Sequence, residues 1–157
     1  MLMDDARTHP AVEHAPPTLW IIALVALAPF PVTALLYTYG PAEHAALALR
    51  GLFTWSMIVL AFLGGVRWGL ETSRPVPRWG RLAASIVSPA AAWSLYLARA
   101  QLDPPWIIAG FLGAFLLQWL FDHRAPDAPA RYPRLSTAMT GGACVSLAFA
   151  LEKALHA

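Results

Sequence analysis

The chain has 157 residues, of which 58% are hydrophobic and only 13% are charged, and its net charge is +2. A soluble domain usually carries about 25% charged residues, so this composition leaves too little charge to cover a soluble surface. The small net charge gives no reason to expect nucleic-acid binding, and the single cysteine, Cys144, excludes an intramolecular disulfide.

The charged residues are concentrated between five apolar runs, as expected when lipid replaces water around those runs. We therefore predict an all-α polytopic membrane helix bundle of about five transmembrane helices. The predicted spans are 19–39, 52–70, 82–98, 105–121 and 135–151, and the fifth is the weakest of them. Residues 1–17 are polar and lack the features of a signal peptide, so we predict a disordered tail followed by a single transmembrane domain over 18–157.

Two prolines, Pro29 and Pro31, occupy the centre of the first run. Each removes a backbone donor, so we expect a kink or a short irregular turn there. Such a break can form a hinge beside a binding site. Proline is also tolerated as a simple kink in membrane helices, and we favour this second interpretation.

The second run closes with Gly64, Gly65, Arg67, Trp68 and Gly69 within about one and a half helical turns. In a soluble helix each glycine would cost about 1 kcal/mol relative to alanine. In a membrane, glycine lets a neighbouring helix approach closely, and Gly65 and Gly69 have the small-xxx-small spacing of such contacts. The pattern predicts close packing at this end of the helix without naming the partner.

Basic residues are distributed unequally between the two sides of the predicted bundle. One side collects seven of them: Arg7, Arg74, Arg78, Arg81, Arg124, Arg131 and Arg134. The other side has Arg50, Arg99 and Lys153. The positive-inside rule then predicts a cytoplasmic N-terminus and a periplasmic C-terminus for a multi-pass protein of the bacterial inner membrane. Trp20, Trp68, Trp79 and Trp119 are expected at the inner boundary, and Trp55 and Trp106 at the outer one.

Arg67 is the only basic residue inside a predicted span. Because it lies one turn from the cytoplasmic end, it can extend to the interface as an anchor beside Trp68. Alternatively, it faces the bundle and forms an anion or headgroup site. The candidate counter-charges are Glu71 and Asp122. Since arginine followed by glutamate at i, i+4 is the weaker order for a helix pair, we expect Asp122 to be the partner.

Residues able to support catalysis are scarce. Asp122 and His123 could serve proton transfer or metal ligation, but neighbouring residues on a helix point in different directions. The sequence has no phosphate-binding loop, nucleophile elbow or HExxH motif, and the serines and Cys144 within the spans have no adjacent base. We therefore predict no catalytic residue, no metal and no cofactor. A proton or ion relay would need several ionisable groups within the spans, so a transporter acting alone is not expected.

Two stretches of the chain resemble motifs of a known family. Residues 61–69 (AFLGGVRWG) resemble the signature of the transmembrane protein 69-like family, a bacterial and mitochondrial domain of unknown function. Residues 132–140 (YPRLSTAMT) resemble its second motif and add Tyr132 and Arg134 to the candidate site, and residues 85–93 are a looser third match. The resemblance covers about 19–151 and implies a multispan membrane protein without an established activity. Arg67 stands where the family often has histidine, and Ser136 where it often has arginine, so no histidine chemistry carries over.

Three functions remain open from the sequence. The first is a non-enzymatic partner or assembly factor of a membrane complex, contacting lipid and other membrane proteins or further copies of itself. The second is a lipid- or small-anion-binding protein, or an oligomeric transporter, with a cytoplasmic-side pocket at Arg67. The third is a lipid enzyme using Asp122 and His123. The candidate functional and packing site comprises Gly64, Gly65, Arg67, Trp68, Gly69, Asp122, Tyr132 and Arg134.

Overall fold

The computed structural model describes residues 17–124 and 132–156, and the regular structure in these ranges is entirely helical. The helices are α1 (Pro17–Leu27), α2 (Pro29–Tyr39), α3 (Ala42–Thr72), α4 (Trp79–Ala98), α5 (Pro104–His123) and α6 (Tyr132–Leu155). The predicted all-α class is confirmed. The predicted tail at 1–17 lies outside the described residues, except for Pro17, which begins α1.

Within residues 17–124 and 132–156, four segments are long and apolar enough to cross a membrane. They are Trp20–Tyr39, which joins α1 and α2, the whole of α3, the whole of α5, and Arg134–Leu155 of α6. Helix α4 is as long as α5: each has 20 residues, which span about 30 Å at 1.5 Å per residue. Its arginine, serines and internal Pro89 make it less apolar, so it is not among the four. The weakest predicted span is therefore α4 and not the fifth run, and a fifth crossing stays a prediction.

The proline pair in the first span interrupts the helix only briefly. Pro29 begins α2 directly after Ala28, whose amide still donates to the Leu24 carbonyl at 3.0 Å. The indole N–H of Trp55 donates to the carbonyl of Ala26 at 2.8 Å, next to this break. The position of Trp55 at the outer boundary stays a prediction, and a backbone carbonyl beside the kink provides the partner of its indole.

The helices form a closed bundle. Helix α3 packs against α2 and α4, α5 packs against α6, and α6 returns to α2. The largest buried side chains come from α2, α3 and α5. The rings of Phe30 and Phe115 pack edge to face with their centroids 5.7 Å apart, and the rings of Phe53 and Phe111 stack with their centroids 5.8 Å apart. This apolar centre separates two ends of the bundle that differ in their polar residues.

Helices α3 and α4 approach each other most closely at Gly64. A Cβ atom at this position would lie 2.6 Å from the Ser85 carbonyl oxygen and 2.7 Å from the Pro89 ring. These distances are far inside van der Waals contact, so only glycine fits. The close packing predicted for this part of the second run is present at Gly64.

Candidate functional site

Arg67 turns into the bundle and pairs with Asp122. Its Nε lies 3.2 Å from the Asp122 Oδ1, and the two side chains are 14% and 0% exposed. The Arg67 Nη2 also donates to the carbonyl of Phe121 at 2.6 Å. The last turns of α3 and α5 meet here because both helices run in the same direction through the bundle. The structure thus brings together Arg67 and the carboxylate that the sequence favoured over Glu71.

Asp122 is the centre of a buried polar network. Its Oδ1 accepts a hydrogen bond from the Gln118 amide at 3.1 Å, and its Oδ2 accepts one from the Ser136 hydroxyl at 2.6 Å. The Gln118 Oε1 in turn accepts from the Ser88 hydroxyl at 2.5 Å. Since these side chains come from α4, α5 and α6, and Arg67 from α3, the network ties four helices together.

The network still has unused hydrogen-bonding capacity. Within the described residues, the Arg67 Nη1 and the Thr140 hydroxyl are buried without a hydrogen-bond partner. Thr140 lies one turn beyond Ser136 on α6. A buried polar group without a partner costs free energy, which water or a small polar ligand can recover. The ion pair itself is stabilising only while both members remain, because either one alone would be a buried, uncompensated charge.

Glu71 belongs to a separate cluster that organises the α3–α4 connection. This carboxylate is 4% exposed and accepts a hydrogen bond from the Arg78 backbone amide at 2.9 Å. Its Oε2 lies 3.2 Å from the Arg74 Nε and 3.9 Å from an Arg81 Nη. Glu71 therefore pairs with the basic loop that follows it and not with Arg67. This role of Glu71 was not predicted, although the adjacent arginines of the loop were a usable signal for it.

Asp122 and His123 do not form a dyad. Asp122 points into the bundle, whereas His123 is exposed and its ring packs against Trp119 at a centroid distance of 4.5 Å. The Trp119 indole donates to the Thr137 hydroxyl at 3.1 Å and so joins α5 to α6. Among the described residues, no group of three histidine, cysteine or acidic side chains could hold a metal ion.

The remaining candidate residues lie near the start of α6 or on the surface of α3. Arg134 is exposed in the first turn of α6, and Tyr132 begins that helix. Trp68 is 46% exposed. Gln118, Ser88 and Ser136 were not among the predicted site residues. The available signal for Gln118 was its position one helical turn before Asp122, the acid expected to pair with Arg67.

Gly65 and Gly69 lie on an exposed face of α3, which we call the α3 outer face and define as Ile58, Phe62, Gly65 and Gly69. A Cβ at either glycine would have no atom within 4 Å. Phe62 is 63% exposed and Ile58 is 45% exposed. The close packing predicted for these two glycines is thus absent among the described residues of this chain, and the small-xxx-small pair faces outward.

Comparison with known proteins gives a single result. A family model described as "Protein of unknown function (DUF3429)" matches residues 15–152. No curated protein and no solved structure matches the chain.

Proposed function

The chain belongs to the DUF3429 family of proteins of unknown function, and we propose that it is a small, non-enzymatic integral membrane protein that acts as a partner or assembly factor of a membrane complex. The observation that carries this proposal is the α3 outer face. Its two glycines, four residues apart, have no partner among the described residues of the chain.

Helix association in lipid depends on close backbone approach, because lipid tails are as apolar as the side chains they would release. Gly64 provides that approach inside the bundle, against α4. Gly65 and Gly69 leave a shallow groove on the outer side of α3. Each costs about 1 kcal/mol in helix propensity relative to alanine, and no contact within the described residues offsets that cost. A transmembrane helix of another protein, with small residues at its own contact, would fill this groove.

The experiment replaces both glycines with isoleucine, in the variant Gly65→Ile/Gly69→Ile. Gently solubilised protein is separated on a native gel and its co-migrating proteins are quantified. We expect a stoichiometric partner with the wild type and its loss with the double variant. Gly141→Ile is the matched control, because Gly141 is also exposed with open space at its Cβ but lies on α6. A partner retained equally by both variants would contradict the proposal.

Location and orientation form part of the same proposal. We infer a multi-pass protein of the bacterial inner membrane whose N-terminus is cytoplasmic, supported by the unequal distribution of basic residues. Glu71 neutralises part of the α3–α4 loop, but acidic residues contribute little to this rule. A C-terminal fusion to a reporter that is active only outside the cytoplasm should be active. If this fusion were inactive and a reporter that works only in the cytoplasm were active instead, the C-terminus would be cytoplasmic. The predicted orientation or the predicted number of spans would then be wrong.

The resemblance to the transmembrane protein 69-like family is compatible with this proposal, since it too implies a multispan protein without an established activity. An anion site at Arg67 has less support. A ligand anion there would have to compete for Arg67 with Asp122, a buried carboxylate that also accepts hydrogen bonds from Gln118 and Ser136, and among the described residues only the Arg67 Nη1 is left without a partner on this guanidinium. A lipid enzyme is less supported still, because Asp122 and His123 face different surroundings.

A further inference from the structure

A second candidate site lies at the end of the bundle opposite the Arg67–Asp122 pair. There the start of α3, the end of α4 and the start of α5 enclose a cleft of about 500 Å³. Arg50 and Arg99 line it together with Tyr96, and Leu49 and Leu102 contribute accessible apolar surface. We propose that this cleft, which we call the two-arginine cleft, binds the phosphate group of an anionic phospholipid. The proposal is independent of the α3 outer face.

The two arginines carry charge that no described carboxylate neutralises. Arg67, Arg74 and Arg81 each lie within 4 Å of a carboxylate. Within residues 17–124 and 132–156, neither Arg50 nor Arg99 has such a partner. Two unpaired guanidinium groups in one cleft attract an anion, and the guanidinium fork matches the oxygen atoms of a phosphate.

Arg99 is held in position before any ligand binds. Its guanidinium carbon lies 3.7 Å from the centroid of the Tyr96 ring, and its Nη1 donates to the Tyr96 carbonyl. This stacking fixes the plane of the guanidinium while leaving other N–H groups available. Arg50, on α3, is exposed at the same cleft and completes a binding site between the start of α3 and the residue that caps the end of α4.

The apolar surface of the cleft favours a lipid over a free phosphate ion. Leu102 is 49% exposed and Leu49 is half-buried, so the cleft combines cationic and apolar walls. A phosphate ion would contact only the cationic part, whereas a phospholipid also places glycerol and acyl carbons against the apolar part. Trp106, which is 70% exposed next to Ile107, fits the membrane–water interface where headgroups lie.

The test uses the full-length protein in an uncharged detergent, titrated with phosphatidylglycerol or phosphatidylcholine while thermal unfolding is followed. Phosphatidylglycerol should raise the unfolding temperature and phosphatidylcholine should not. Arg50→Gln and Arg99→Gln should each weaken the apparent affinity for phosphatidylglycerol about fivefold, which corresponds to about 1 kcal/mol per basic residue near an anionic lipid. The double variant should weaken it by about 25-fold. Lys153→Gln is the matched control, because it removes one exposed positive charge from the same end of the bundle.

Several outcomes would decide the proposal. If the double variant bound phosphatidylglycerol as the wild type does, or if Lys153→Gln lost as much affinity, the two-arginine cleft would be excluded as the site. If inorganic phosphate stabilised the wild type as strongly at the same concentration, the phosphate chemistry would be supported and the lipid source refuted. The double variant Arg50→Lys/Arg99→Lys should bind phosphatidylglycerol more tightly than the double glutamine variant, because lysine restores the positive charge. This comparison separates the loss of charge from misfolding. The variant Gly65→Ile/Gly69→Ile should bind lipid normally, so the two proposals can fail separately.

Discussion

Removing the negative charge of Asp122 should destabilise the whole bundle. In Asp122→Asn the side chain keeps its size, but Arg67 becomes a buried cation without a counter-charge. Breaking a buried ion pair from one side costs about 3–5 kcal/mol. We expect a loss near the lower end, about 3 kcal/mol, because asparagine can still accept a hydrogen bond from Gln118 or Ser136.

That loss should appear as a lower unfolding temperature of the detergent-solubilised protein. For a chain of this size, 1 kcal/mol corresponds to about 2–4 °C, so Asp122→Asn should unfold about 6–12 °C below the wild type. Asp103→Asn makes the same chemical change at the N-cap of the same helix, but Asp103 is exposed and makes no side-chain capping hydrogen bond. It should change stability by less than about 0.5 kcal/mol.

A double-mutant cycle then separates the ion pair from other effects. Arg67→Gln should also destabilise, since it leaves Asp122 buried without its cation. The double variant Arg67→Gln/Asp122→Asn should cost clearly less than the sum of the two single changes, because neither charge is then left alone. Additive losses, or an unfolding temperature of Asp122→Asn equal to that of Asp103→Asn, would refute the role given to this pair.

Three further changes test other contacts. Gly64→Ala should lose about 1–3 kcal/mol by forcing α3 away from α4, measured by thermal unfolding, whereas Gly141→Ala, with open space at its Cβ, should not be destabilised. Glu71→Gln should increase amide hydrogen exchange over residues 73–78, because the loop arginines lose their shared carboxylate; unchanged exchange would contradict this. Trp55→Phe should cost about 1 kcal/mol by removing the hydrogen bond to the Ala26 carbonyl, and equal unfolding temperatures would show that the bond contributes nothing.

The helical class, the position of most helices and the Arg67–Asp122 contact could be predicted from sequence. Length and hydropathy locate helices that cross a membrane. The contact followed from a local rule: Arg67 and Glu71 are in the less favourable order on one helix, and Asp122 is the acid at the matching end of another. In the structure Asp122 is indeed within 3.2 Å of Arg67, while Glu71 turns to the loop.

The rotation of each helix about its axis could not be predicted. In a soluble bundle, the apolar stripe of a helix shows which side faces the core. In lipid, both the core side and the outer side are apolar, as Leu60 and Phe62 on α3 show: one is fully buried and the other is 63% exposed. Gly64 and Gly65 are therefore indistinguishable in sequence, yet only Gly64 packs against α4. The polar network was missed for a similar reason, since Gln118 had no visible partner before α4 and α6 were placed beside it.

The Arg67–Asp122 pair also has a consequence for the order in which the protein is assembled. The carbonyl that Arg67 contacts, at Phe121, follows it by 54 residues. At roughly 5–20 residues per second, the ribosome needs about 3–11 s to supply this partner. Helix α3 has 31 residues and is therefore longer than a bilayer core is thick. During that interval we expect that α3 can shift along its axis while Arg67 stays at the interface. We therefore expect the depth of α3 in the membrane to be fixed only after α5 has been made and Asp122 can pair with Arg67.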